Sequence, residues 1–273
     1  MTLAERRQRF RALHAGPAIL VLPNAWDVAS ARIFEQAGFP AIATTSAGLA
    51  NALGFPDGDA LDVELHLATL ERLVRALDVP LSADVESGYA RDARGVGAFI
   101  ARLAQTGVAG FNLEDTVHET ELFPLDVARE RVRAARAAAP ELFLNARTDI
   151  YLGDIGPEAT RFERTVERLR AYAEEGADGV FVPGITDTET IERLAAATPL
   201  PLNVLAGAAT PDAATLERLG ARRVSVGSGP MRRTLGVLRQ IARELREEGT
   251  FSYTRAQSVP YAEVNALVAQ RRP

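Results

Sequence analysis

The chain has no cysteine and no lysine. Without a thiol there is no disulfide, no thiolate nucleophile and no sulfur acid. Without a lysine amine, Schiff-base aldolase chemistry, pyridoxal-phosphate attachment and a Walker-type phosphate loop are all excluded. All 31 basic residues are arginines. An electrophile here has to be a metal ion, an arginine or a set of backbone N–H groups. Histidine is scarce too: His14 and His66 lie on segments that read as helical, and His118 lies in a loop. No run of about eighteen apolar residues occurs, so no segment reads as spanning a membrane. The start, MTLAERRQRFRALHAG, is a charged amphipathic helix without the apolar core of a secretion signal, so a cytoplasmic protein is expected. The net charge is −5, from 31 basic and 36 acidic residues, with no basic stripe, so nucleic acid is not an expected partner.

What is present fits a large α/β unit. With 273 residues, 47% of them hydrophobic, the chain suits one domain better than two small ones. Short apolar or β-branched runs predict strands at Ala18–Leu22, Ala41–Thr45, Leu81–Val85, Gly110–Glu114, Leu142–Arg147, Gly179–Pro183, Leu202–Ala206 and Arg223–Gly227. Helical stretches lie between them, at Val28–Ala37, Val63–Leu77, Gly95–Gln105, Leu125–Ala138, Pro157–Glu175, Thr188–Ala196 and Pro211–Leu219. A last long helix is expected over Met231–Glu248. Four helices end on a glycine with a strand about three residues later: Gly38, Gly107, Gly176 and Gly220. Glycine after a helix accepts the left-handed conformation that closes it. Eight β-then-α units imply a parallel sheet with right-handed crossovers, closing into a (β/α)8 TIM barrel. A doubly wound open sheet is the alternative, but no GxGxxG follows the first strand. The expectation is a single barrel domain over 1–273 with a C-terminal helical tail from about residue 250.

The ends of the strands carry the chemistry, since barrel active sites lie at the C-terminal ends. In LSADVESGYA, Asp84 and Glu86 are two residues apart, and positions i and i+2 of a strand point the same way. Two such carboxylates repel each other unless a cation intervenes, which points to a divalent metal with hard oxygen ligands. The neighbouring strand FNLED ends at Glu114 and Asp115. The next, LFLNARTD, ends at Asn145, Arg147 and Asp149. Asp115 alternates to the other face and is expected to be a helix cap or an ion-pair partner. Arg147 reads either as a ligand-binding group or as a clamp for Glu114. Asn145 and Asn203 read as groups that satisfy backbone at the barrel mouth. The VGSGP turn (Val226 to Pro230) reads as a tight turn or as a phosphate cradle at a helix N-terminus. Asp27, after Trp26, is a candidate N-cap.

These segments resemble the isocitrate lyase / phosphoenolpyruvate mutase superfamily over nearly the whole chain. The resemblance rests on LPNAWDVASARIFEQAGFPAIATTSAGLANALGFPDGD, LSADVESGYA, GFNLEDT, LFLNARTD and EGADGVFVPG, in the family's order. It implies a (β/α)8 barrel, a bound Mg2+, small 2-oxo or 2-hydroxy carboxylic acid substrates, and homo-oligomers, tetramers or dimers, that exchange the eighth helix between subunits. By the same resemblance, Asp84 is the principal metal ligand, with Glu86 where a second aspartate is usual. Glu114 and Asp57 are further acids of the metal site. Arg147 binds substrate, and Thr45, Ser46 and Ala47 form the turn that holds its carboxylate. Arg147, Glu114 and Thr45 are the expected catalytic residues, and Asn203 is added to the expected substrate-binding set. The sequence departs from the family after the fourth strand, where Thr116 to Leu125 contains neither lysine nor cysteine. Pro183 stands near the position of a mutase histidine.

The resemblance therefore implies a Mg2+-dependent carbon–carbon lyase or decarboxylase working through a metal-stabilised enolate. For cleavage of a 2-hydroxy acid the candidate bases are Glu114, Tyr89 and metal-bound hydroxide. The alternatives are a carbon–phosphorus enzyme of the phosphonopyruvate hydrolase or phosphoenolpyruvate mutase type, and a barrel that binds a 2-oxo acid without turning it over.

Overall fold

The computed structural model describes residues 1–117, 121–256 and 258–269. The first half contains α1 (Leu3–His14), β1 (Leu20–Leu22), β2 (Asn24–Ala25), α2 (Val28–Gln36), β3 (Ile42–Thr44), α3 (Ser46–Ala52), α4 (Val63–Ala76), β4 (Leu81–Asp84) and α5 (Ala93–Gln105). The middle contains β5 (Gly110–Glu114), a short pair β6 (Thr116–Val117) and β7 (Glu121–Leu122), α6 (Leu125–Ala138), β8 (Phe143–Arg147) and α7 (Glu158–Glu174). The last part contains β9 (Gly179–Val182), α8 (Thr188–Ala197), β10 (Leu202–Leu205), α9 (Ala213–Arg218), β11 (Arg223–Ser225), α10 (Gly229–Arg243) and α11 (Tyr261–Val268).

The main sheet is parallel and has nine strand segments, in the order β1-β11-β10-β9-β8-β5-β4-β3-β2. β1 and β2 are two halves of one stave broken at Pro23. β1 pairs with β11 (Leu20 opposite Arg223) and β2 with β3 (Asn24 opposite Ala43). Merging those halves leaves eight staves and closes the sheet on itself, so the chain forms the expected (β/α)8 barrel.

Local chemistry places the elements. Asp27, Asp62, Asp92, Asp187 and Asp212 each accept a first-turn N–H of the helix that follows. Each such cap is worth about 1 kcal/mol. The helices bury one stripe: α5 turns Val96, Phe99, Ile100 and Leu103 inward, the spacing of a single helical face. Gly38, Gly107, Gly176 and Gly220 all hold φ near +90°, as the closing turn requires.

At the N-terminal end of the barrel, α1 lies across the strand entrances. Arg7 donates to the Val108 and Ala104 carbonyls, and Arg11 to the Leu142 carbonyl. Phe10 is fully buried edge-on to Phe143, and the His14 ring stacks on Phe143 at 3.9 Å. The far end of the chain differs from the expected single long helix. α10 stops at Arg243 and widens into a π-helical turn over Glu244–Glu248. α10 buries only Met231, and Leu235 and Leu238 are 50% and 58% exposed. Beyond it, α11 packs against α2 and buries Leu267.

Candidate active site

The C-terminal ends of β3, β4, β5 and β8 surround a cavity of about 410 Å3. Among the described residues it is lined by Ser46, Asp57, Gly58, Glu86, Glu114, Thr116, Arg147, Asp149 and Leu152 to Asp154. The strands deliver these groups from neighbouring staves: Asp84 is in register with Asn112, and Glu114 with Arg147.

Asp84 ends β4 and is buried. Its Oδ2 accepts the Ser46 hydroxyl at 3.1 Å and the Ser46 N–H at 3.4 Å. Its Oδ1 is buried with no hydrogen-bond partner. Glu86 is not an extension of the strand. The backbone turns left-handed there (φ +51°), so strand alternation does not aim it beside Asp84. Its carboxylate instead accepts the Asp59 N–H, and the Tyr89 hydroxyl approaches at 3.4 Å. Asp59 in turn accepts the Ser87 hydroxyl, which ties the loop after α3 to the loop after β4.

Arg147 and Glu114 form an ion pair at 2.8 Å with both side chains largely buried. Arg147 also presents Nε and Nη2 to the two oxygens of Asp149, at 2.5 and 2.7 Å. The guanidinium thus lines the cavity and clamps two acids at once. Thr116 donates to the other Glu114 oxygen at 2.9 Å.

The electrostatics follow from crowding acids around one cation. Burial pushes Glu86 up to about 8, with the Asp59 N–H pulling down and the Asp59, Asp57 and Asp84 charges adding to the rise. Burial also raises Glu114, against the pull of Arg147. Burial alone would discharge Arg147, but Glu114 and Asp149 more than offset it and keep it a cation. Partial desolvation and then the Asp84 charge raise Asp57, although it stays in contact with solvent, which damps the effect. Burial and then the Glu86 charge raise Tyr89, whose hydroxyl is placed to donate to Glu86.

Among the described residues, no three acidic or histidine side chains approach one point closely enough to enclose a cation directly. The fit to Mg2+ rests on the orphaned Asp84 Oδ1, with hard carboxylate neighbours at Asp57, Glu86 and Glu114. That set suits an ion that keeps several waters and takes only one or two protein carboxylates.

The other expected residues fall in several places. Thr45 N-caps a helix that sequence reasoning did not foresee, α3, through its hydroxyl and the Gly48 N–H. Ser46 and Ala47 are that helix's first residues, whose N–H groups have no acceptor within it. Asn203 lies in the barrel interior, where its Oδ1 accepts the Ser225 hydroxyl. Asn145 donates to the Asn112 side chain rather than to backbone. In the VGSGP turn, the Val226 and Gly227 N–H groups are taken by Asn24 Oδ1, as befits a turn and not a phosphate cradle. Asp27 caps α2. His118 lies outside the described residues. Pro183 is buried, and the glycine after it presses on the cavity wall: a Cβ at Gly184 would stand 2.7 Å from the Leu152 nitrogen.

Two residues have roles that the sequence did not signal. Asp149 orients Arg147, and Arg223 sits fully buried with Nη2 on Asn112 Oδ1 at 3.1 Å. Asp115 has the ion-pair role expected of it, with Arg168.

The sequence model of the phosphoenolpyruvate phosphomutase family matches residues 10–246. The chain belongs to that family. It thereby joins the phosphoenolpyruvate mutase / isocitrate lyase superfamily of lyases and mutases. A Burkholderia cenocepacia J2315 structure assigned as a lyase or mutase superposes with a TM-score of 0.90 at 37% identity, over 98% of this chain and 96% of that one. An uncharacterised protein of Mycobacterium tuberculosis strain H37Rv is 35% identical over 94% of this chain and 95% of its own. An oxaloacetate decarboxylase of Pseudomonas fluorescens SBW25 is 32% identical over 82% of this chain and 78% of its own.

Proposed function

We propose that this family member is a Mg2+-dependent decarboxylase or carbon–carbon lyase of a small 2-oxo or 2-hydroxy carboxylic acid. The observation that carries the reading is Arg147, a cation fixed by Glu114 and Asp149 at the wall of the cavity, in the electrostatic field of Asp84. Asp84 would hold the ion directly, with Asp57, Glu86 and Glu114 receiving its waters. A bound Mg2+ supplies Lewis acidity for the negative charge that develops when a bond to the third carbon breaks. The remaining N–H bonds of Arg147 and the Ala47 N–H at the start of α3 would take the substrate carboxylate. Decarboxylation asks little more of the protein, because carbon dioxide departs without a general base. The similarity to an oxaloacetate decarboxylase supports the same chemistry.

The test is turnover of oxaloacetate, a methylisocitrate, a dimethylmalate and phosphonopyruvate, with Mg2+ and after chelation. Oxaloacetate should lose carbon dioxide only with Mg2+, and Asp84→Ala should abolish both metal binding and turnover. Phosphonopyruvate as the one substrate consumed would replace this reading by carbon–phosphorus chemistry. Binding of all four without product would leave a non-catalytic barrel.

The assembly belongs to the same proposal. A helix with α10's exposed leucines is left unburied by its own barrel, so it would pack on a neighbouring copy in a homo-oligomer.

A further inference from the structure

The contacts behind Arg147 continue past Asp149, through the wall of the barrel to α7. Asp115 follows Glu114 but points to the outer face and is buried. Its Oδ1 accepts the Asp149 N–H at 3.2 Å. Its Oδ2 accepts the Tyr172 hydroxyl at 2.5 Å and Arg168 Nη1 at 3.0 Å. Tyr172 and Arg168 are one helical turn apart on α7, and the Tyr172 hydroxyl lies 3.1 Å from Arg168 Nη1. The second Arg168 nitrogen donates to the Phe123 carbonyl at 2.8 Å, and the Phe123 N–H returns to the Asp115 carbonyl at 2.8 Å. Phe123 is the residue on which the β6–β7 pair returns to the barrel. Its ring lies under the Arg131 guanidinium at 3.9 Å, and Arg131 also donates to the Ser87, Ala90 and Arg91 carbonyls after Glu86.

One buried carboxylate thus touches the backbone that carries Asp149, while Asp149 holds the fork of Arg147. We propose that Asp115, Tyr172 and Arg168 are positioning residues, which set the orientation of the Arg147 guanidinium and root the β6–β7 pair beside the cavity. Stability alone does not account for a charge triad on the covered side of a barrel. Removing charges from water there costs about as much as the pairing returns, and apolar residues of similar volume do as well. Geometry is what the triad supplies in addition. Two of the three hydrogen bonds to Asp115 come from a seventeen-residue helix, and the third from the segment just after β8, so its carboxylate is anchored mainly on a rigid element.

The inference rests on the proposed binding of a substrate carboxylate at Arg147. It is tested with Tyr172→Phe, which removes one hydroxyl and keeps the ring, and with Asp115→Asn. A control, Arg133→Ala, breaks an ion pair to Glu175 at the end of the same helix, a pair that shares no hydrogen bond with Asp115, Tyr172 or Arg168. For each protein, Mg2+ affinity, oxalate affinity in Mg2+, KM, kcat and the melting temperature are measured. Tyr172→Phe and Asp115→Asn should raise KM and the oxalate Kd by about tenfold, the worth of one charge-assisted hydrogen bond. Mg2+ affinity should stay within about twofold, and kcat should fall less than kcat/KM. Arg133→Ala should lower the melting temperature without changing KM. Unchanged oxalate affinity in a folded Tyr172→Phe would overturn the inference alone. So would a KM that rises equally in the control. A wild-type protein that binds no oxalate would overturn the reading of the site along with it.

Discussion

At the scale of single residues, the site depends on how one guanidinium is shared. Arg147 gives Nε and Nη2 to Asp149 and Nη1 to Glu114, which leaves its outer N–H bonds for a ligand. An ammonium cannot copy that division, because it is a point charge on a flexible stem. Arg147→Lys should therefore weaken oxalate binding by about ten- to a hundredfold, roughly 1.5–3 kcal/mol, in a calorimetric titration with Mg2+ present. Equal affinity would make Arg147 a clamp for Glu114 and nothing more. Much of this neighbourhood was legible in the sequence, because the acids and the arginine fall at strand ends that apolar runs mark clearly. The direct role of Glu86 was less so. Alternation along β4 placed it beside Asp84, but the strand stops at Asp84 and the left-handed turn sends Glu86 to the Asp59 N–H. Asn203 is fully buried in the barrel, where its Oδ1 accepts the Ser225 hydroxyl, a pairing across 22 positions that neither segment announces. Asp115 and Arg168 are 53 positions apart, so nothing in either local segment announces their pairing.

At the scale of elements, periodicity and caps decided what could be foreseen. The helix expected at Leu125–Ala138 has those bounds, and most others agree within a few residues, because apolar stripes mark them, with capping aspartates at α5 and α8 and a proline ahead of α6. α3 was missed because Ser46–Ala52 is a run of small residues with no amphipathic period. The β6–β7 pair escaped notice because two-residue strands carry no alternation to read. α10 presents the opposite case: its sequence is amphipathic, yet Met231 is its one buried residue, and Leu235 and Leu238 on its apolar side are exposed. If that side packs on another subunit, Leu238→Glu should convert the oligomer to smaller species. Light scattering after gel filtration would show it, and the far-UV spectrum should keep its helical content. An unchanged particle mass at micromolar concentration would refute packing through this helix. The two buried charges at such an interface would cost several kcal/mol each without partners, enough to dissociate most dimers.

For the whole molecule, the two described histidines set a limit on acid stability that the active site does not share. His14 closes the N-terminal end of the barrel, with Nδ1 donating to the Phe10 carbonyl. Burial lowers it to about 3, and the nearby Arg223 and Arg11 charges work in the same direction, against that hydrogen bond. His66 is fully buried behind Tyr89 and is lowered to about 4 by burial. Both fold as neutral rings, whereas in the unfolded chain each takes a proton near pH 6.5. Through these two rings the unfolded state binds more protons between pH 4 and about 6.5, so their contribution to stability rises with pH and levels off above that range. The carboxyls of the site titrate over an overlapping range, so the clean measure is a difference between proteins. Relative to wild type, His66→Phe should gain stability as pH falls from about 6.5 to 4, by up to roughly 1.4 kcal/mol per pH unit, and hold a constant offset above. Urea unfolding at a series of pH values reads this directly. A parallel pair of curves through pH 5 would mean that His66 is already charged in the folded barrel, and that water reaches it behind Tyr89.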